Sequence, residues 1–307
     1  MAKLMSLVFR EQMRLTKPFL RRLDFNIETA RKSQDKVGDL GAKIAARDRV
    51  EFVDADTCAF TAQWAVPIHM PMQSAILYLH GGGYVAGSLA YARGFGAILA
   101  VETKNRVLCL DYRLAPEHPH PAALDDALCA YQHMLQYFPA EKITLIGESA
   151  GGGLAFCLAL KIKQEGLPMP SGIVAISPWT DLSLTDAMLD DNALIDPCLS
   201  KDILQYYARL YAKEDVYNPL ISPVYGNLEG LPPNLIIVGS HEVLLGDSLH
   251  MFEKLKQTNV YSELIVVNGM WHVFVLYPIP EAREAIEQIA QFVRGKEIQP
   301  DKEETQL

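Results

Sequence analysis

The sequence predicts an α/β protein with a mostly parallel central sheet, helices on both faces and a helical cap. Short, near-continuous apolar runs recur along the chain, the mark of strands buried on both faces. Helical patterns lie between them, and that alternation builds a doubly wound sheet. A chain of 307 residues suits one large α/β domain with insertions. Half its residues are apolar and 21% are charged, which argues for a folded chain throughout.

In chain order, residues 1–48 carry apolar side chains at roughly helical spacing (Leu4, Val8, Met13, Phe19, Leu20, Leu23, Ile27), broken at Pro18. They are expected to form cap helices apart from the sheet. Strands are expected over Arg49 to Val53, Cys58 to Val66 and Ala75 to His80, and in runs ending at Asp111, Glu148, Ser177, Gly239 and Val267. Helices are expected over Pro121 to Tyr137, Ala150 to Gln164, Gly246 to Thr258 and Glu281 to Arg294. Residues 181–233 break the rhythm, with Asp196-Pro197, Asn218-Pro219, Ser222-Pro223 and Pro232-Pro233 around a helical stretch near Leu199 to Tyr211. The expected organisation is therefore an N-terminal cap (1–48), a core (49–180 and 234–307) and a second cap insertion (181–233). The polar tail after Gly295 is expected to fray.

Several function classes fall away on composition. Lys plus Arg number 28 against 37 Asp plus Glu, a net charge of −9, so there is no general basic field for nucleic acid. Five widely spaced cysteines without a C-x-x-C pair give neither a disulfide framework nor a zinc knuckle, and no histidine pair has metal-ligand support. The absence of a signal-peptide pattern and of an 18-residue apolar run points to a cytoplasmic protein with reduced thiols.

The strongest chemical signal is Gly147-Glu148-Ser149-Ala150-Gly151, a G-x-S-x-G between a predicted strand and a predicted helix. A nucleophile elbow requires that context: the sharp turn strains the serine backbone, presents its hydroxyl, and excludes larger side chains two residues to either side. A glycine-rich turn whose serine only caps the helix is the plainer alternative. Upstream, His80-Gly81-Gly82-Gly83 follows its own strand, and consecutive glycines let backbone amides approach a substrate oxygen. The candidate oxyanion donors are the amides of Gly81, Gly82 and Ala150. Gly81, Gly83 and Ala86 also fit G-x-G-x-x-A with Glu102 further on, a formal dinucleotide fingerprint that would leave Ser149 unexplained.

Ser149 needs a base. His69, His133 and His250 lie in polar or helical surroundings, and His118 and His120 flank prolines. His272 follows the last strand, where hydrolases with a nucleophile elbow carry their histidine. For the acid, the loop after the strand ending at Gly239 offers Glu242 and Asp247. Glu242 lies nearer the strand end and is favoured, because Asp247 at a helix start is explained by capping alone.

Together these motifs resemble the hormonesensitive-lipase-like α/β hydrolases, the bacterial esterase group with HGGG and G-[DE]-S-A-G-G motifs. The resemblance runs from Ala75 to Phe274 and includes Asp111 to Pro119, Pro121 to Asp126 and Ser177-Pro178-Trp179. It implies a cofactor-free carboxylesterase acting on short- to medium-chain esters, with two cap pieces and, in many members, a homodimer. Aligning the family's D-P-L-x-D acid motif puts Glu242 at the first aspartate, with Val243 and Gly246 as departures. Arg113 and Glu117 read as paired structural charges, and Tyr84, Trp179, Leu199 and Tyr206 as candidate substrate-binding residues. Lactone, carbamate or amide cleavage by the same residues, or a non-catalytic small-molecule receptor on this fold, are the alternatives.

Overall fold

The computed structural model describes residues 6–15, 17, 26–45, 49–55, 61–68 and 74–295, with the side chains of 37–45 left out. Among the described residues eight strands form one sheet: β1 (Val50–Asp54), β2 (Thr61–Pro67), β3 (Ala75–Leu79), β4 (Arg106–Asp111), β5 (Ile143–Glu148), β6 (Gly172–Ile176), β7 (Asn234–Gly239) and β8 (Ser262–Val267). Their order is β1-β2-β4-β3-β5-β6-β7-β8. The β1–β2 and β2–β4 pairs are antiparallel and the other pairs parallel. All residues of β3, β5, β6 and β7 are buried, which is why these strands read as unbroken apolar runs.

The helices are α1 (6–15), α2 (Ile27–Ala45), α3 (Leu89–Thr103), α4 (Ala122–Met134), α5 (Ala150–Gln164), α6 (Met188–Asp191), α7 (Lys201–Tyr211), α8 (Leu245–Gln257) and α9 (Pro280–Val293). Alternate residues of β3 divide the core in two. Leu77 and Leu79 face the layer with α4, α5, α7 and α8, and Ile76 and Tyr78 face the layer with α3 and α9. No described helix is long and apolar enough to cross a membrane.

The sequence pattern misses α3 because its buried residues lie on more than one side, leaving no narrow apolar stripe to betray a helical period. Gly96 lets it approach the sheet, since a Cβ there would lie 2.3 Å from Cys109 Sγ. The helix expected to reach Tyr137 ends at Met134. The helix break at Pro18, the start of the expected strand at Cys58, His69 and the polar tail from residue 296 all lie outside the described residues.

One further expectation is corrected, and one rival reading is set aside. Arg113 and Glu117 do not pair with each other: Arg113 binds Asp126 at 2.8 Å and Glu117 binds Arg31 at 2.7 Å, because Arg113 turns toward α4 and Glu117 toward α2. Glu102 does not stand where a dinucleotide fingerprint needs it. It lies in the last turn of α3, 3.5 Å from Arg49.

The N-terminal helices and the segment between β6 and β7 meet the loops that leave the carboxyl ends of the strands. Arg31 on α2 donates to Val85 O at 2.8 Å and to Ala115 O at 3.0 Å. Arg10 on α1 donates to His241 Nδ1 and Gly269 O, both at 3.2 Å. Tyr207 on α7 covers Gly83, where an added Cβ would come within 2.3 Å of its ring.

Candidate active site

Strand β5 runs directly into α5 at Ser149, whose φ of 55° and ψ of −123° are strained for a residue with a side chain. Close backbone packing enforces the turn. A Cβ at Gly147 would lie 2.2 Å from Gly151 O, and one at Gly151 would lie 2.0 Å from Leu79 O. No side chain fits at either place. Ala150 opens α5, so its amide is among the helix's first N–H groups, which lack intrahelical acceptors.

His272 lies in the loop after β8, and its Nε2 is 2.9 Å from Ser149 Oγ. Its Nδ1 is 3.0 Å from Glu242 Oε2. The carboxylate can only accept, so the proton belongs on Nδ1 and the Nε2 lone pair faces the serine hydroxyl. Glu242 follows β7 and is fully buried. Its Oε1 accepts the Gly239 N–H at 2.5 Å and the Ser177 hydroxyl at 2.8 Å. Burial raises the Glu242 pKa, and the His272, Gly239 and Ser177 contacts offset part of that rise. The arrangement can draw the serine proton onto the imidazole and stabilise the imidazolium that results.

Asp247 does not join this array. Its Oδ2 accepts the N–H groups of Thr180 and Asp181 at 2.7 and 2.8 Å, so it braces the chain after β6. The glycine loop also departs from expectation at one residue. Gly81 N–H donates to Glu148 Oε1 at 2.5 Å, so this amide is already engaged. Tyr84 and Trp179, expected on the pocket wall, are instead sealed in the core at 1% and 0% exposure. Tyr84 stacks on Tyr211 with centroids 3.8 Å apart, and the Trp179 indole N–H donates to Asp181 O. Leu199 and Tyr206 are half-buried.

Sequence reasoning missed the residues that hold the acid loop. Ser177 bridges it to the histidine loop by also accepting Val273 N–H at 3.1 Å. Asp196 Oδ2 accepts Val243 N–H at 2.9 Å, and Asn192 Nδ2 donates to Glu242 O at 2.7 Å. Ser177-Pro178-Trp179 was visible as a motif, but nothing local marks Asn192 or Asp196. An open groove of about 820 Å³ lies at the other end of the sheet, by the amino ends of the strands. It is lined by Lys104, Lys142, Glu263 and Arg294 among others, and shares no residue with the serine–histidine–glutamate array.

Residues 76–276 match the model of a family with the α/β-hydrolase fold. The solved structure of a hormone-sensitive lipase from a metagenome library superposes with a TM-score of 0.85 at 33% identity, covering 94% of this chain and 97% of that one. The chain belongs to the hormone-sensitive-lipase-like α/β hydrolases. Among this hydrolase's relatives is an esterase of Acinetobacter venetianus, 39% identical over 228 residues, with 73% of this chain and 75% of the esterase covered. An acetyl-hydrolase of Streptomyces hygroscopicus is 35% identical over 269 residues, with 86% of this chain and 87% of the relative covered.

Proposed function

We propose that this hydrolase is a serine carboxylesterase that cleaves short- to medium-chain acyl esters through an acyl-enzyme. The 2.9 Å contact of Ser149 Oγ with His272 Nε2, backed by Glu242, carries the reading. The names of the esterase and acetyl-hydrolase relatives support the substrate class. Ser149 Oγ attacks the ester carbonyl as its proton passes to His272 Nε2. The imidazolium then protonates the leaving alcohol, and water deprotonated by the same nitrogen attacks the acyl-enzyme and frees the acid.

With Gly81 N–H engaged by Glu148, the amides of Gly82, Gly83 and Ala150 are the donors assigned to the oxyanion. Leu199 and Tyr206, next to and on α7, remain the candidates for substrate contact. The reaction needs no cofactor or metal. The reading also places the enzyme in the cytoplasm, where its free cysteines stay reduced, and as a homodimer, which sedimentation tests.

The deciding experiment is hydrolysis of p-nitrophenyl esters from acetate to laurate by wild type and Ser149→Ala. Wild type should cleave the shorter chains, and the variant should lose about 10⁶-fold in kcat while keeping its fold. A folded wild type inert toward the whole series rejects the reading.

A further inference from the structure

Beneath the glycine loop lies a second fully buried carboxylate, which the proton relay does not use. Glu148 ends β5 immediately before the nucleophile and has no exposed surface. A carboxylate in such a place is costly unless hydrogen bonds hold it. Its Oε1 takes the Gly81 N–H at 2.5 Å, joining the elbow to a loop 67 residues earlier in the chain. The Tyr78 and Tyr91 hydroxyls face the same group and favour its ionised form, while Oε2 has no well-directed hydrogen-bond partner.

The loop is gripped from its other side by His80. Burial lowers the His80 pKa to about 4, so the ring is neutral near pH 7. Its Nδ1 lies 2.7 Å from Gly81 O, an acceptor, which puts the proton on Nδ1. The ring stacks on Tyr112 with centroids 4.2 Å apart, and the Tyr112 hydroxyl donates to His80 O at 2.7 Å. Both backbone polar groups of Gly81 are thus held, N–H by Glu148 and carbonyl by His80. A Cβ on Gly81 would lie 3.1 Å from Ser149 Cβ, so the held residue lies against the nucleophile and directly precedes Gly82.

Oxyanion donors act only if they are fixed before charge develops, because reorganising them during the reaction forfeits their effect. We propose that Glu148 is a positioning residue for the oxyanion hole: by holding Gly81 N–H it fixes the Gly82–Gly83 backbone relative to Ser149 and Ala150. This rests on the esterase reading, and it makes Glu148 act on the transition state rather than on substrate binding.

The test is p-nitrophenyl butyrate hydrolysis by wild type, Glu148→Ala and Glu148→Gln, with hydrogen exchange measured across residues 80–87. Glu148→Ala should lower kcat about 10- to 100-fold, less than the loss of an oxyanion donor itself, and leave KM within about twofold. Its affinity for a trifluoromethyl ketone, which forms a tetrahedral adduct with Ser149, should fall by the same factor as kcat. Glu148→Gln keeps an oxygen that can accept Gly81 N–H, and should recover to within about tenfold of wild type. Exchange across 80–87 should be faster in Glu148→Ala. Unchanged kcat in Glu148→Ala beside an active wild type, a rise in KM alone, or unchanged exchange overturns the proposal. If Glu148→Ala does not fold, a folded Glu148→Gln with kcat below one-tenth of wild type also overturns it. Wild type inert toward esters rejects the esterase reading instead, and exchange in the variant still decides whether Glu148 holds the loop.

Discussion

Glu148 and Glu242 are both sealed from solvent, but the regions around them are built differently. Glu242, in the loop after β7, has partners on both oxygens: Gly239 N–H and Ser177 on one, His272 on the other. The loop's backbone is then tied to Asn192, Asp196 and, through His241, to Arg10. The elbow gives Glu148 one firm partner and leaves Oε2 without one. Its precision comes from shape, with glycines at 147 and 151 pressed onto carbonyls that admit no Cβ. One region is positioned by hydrogen bonds from distant segments and the other by close backbone packing.

The sharpest way to break this contrast is to remove the acid. Glu242→Ala should cost about 10⁴-fold in kcat, the scale seen when a catalytic histidine loses its orienting carboxylate. The substitution also leaves the Ser177 hydroxyl and Gly239 N–H without their acceptor. Steady-state kinetics on p-nitrophenyl butyrate, with circular dichroism to verify folding, measures the loss. A folded variant within tenfold of wild type would return the acid role to another residue.

Asp247 sharpens the same comparison with a smaller effect of another kind. Its carboxylate accepts one buried and one part-buried N–H group and has no hydrogen bond to His272. Asp247→Ala should therefore cost roughly 2 to 6 kcal/mol of stability, one penalty for each orphaned donor, with kcat of the folded enzyme near wild type. Urea unfolding beside kinetics separates the two quantities. A collapse of kcat at unchanged stability would make Asp247, not Glu242, the acid.

The two regions were also unequally legible in the sequence. The elbow could be read because its cause is local: Gly147, Ser149 and Gly151 between an apolar run and an Ala/Leu-rich helix already state the turn. The inner strands β3, β5, β6 and β7 were legible for a similar reason, since burial on both faces writes the same apolar run wherever it occurs. Helix α3 was not, because a helix buried on several sides has no amphipathic period. The acid loop was only half legible. Position after β7 pointed to Glu242, but its supports come from α1, the β6–β7 segment and Ser177, and no spacing rule joins residues so far apart. Tyr84 and Trp179 show the converse error. Nearness to a motif suggested a pocket wall, whereas a large aromatic ring is as readily core.

The smallest effect concerns the proton on Glu148. Burial pushes its pKa up to about 7 from an ordinary 4.5, against the opposing pull of Gly81 N–H and the two tyrosine hydroxyls. The folded state therefore holds this proton more tightly than the unfolded chain. Its contribution to stability is full below about pH 4.5 and is lost as pH rises through about 7. The gap corresponds to a limit of roughly 3 kcal/mol. Glu148→Gln removes the titration, so its Tm relative to wild type should climb between pH 5 and pH 8.5, by roughly 5 °C if the full gap is expressed. Thermal scans of both proteins across that range test this, and a flat difference would show that Gly81 N–H and the tyrosine hydroxyls offset the whole cost of burying Glu148. If the difference climbs, the enzyme keeps a charge at alkaline pH where stability alone disfavours one. That is the expected signature of a carboxylate retained for its grip on Gly81.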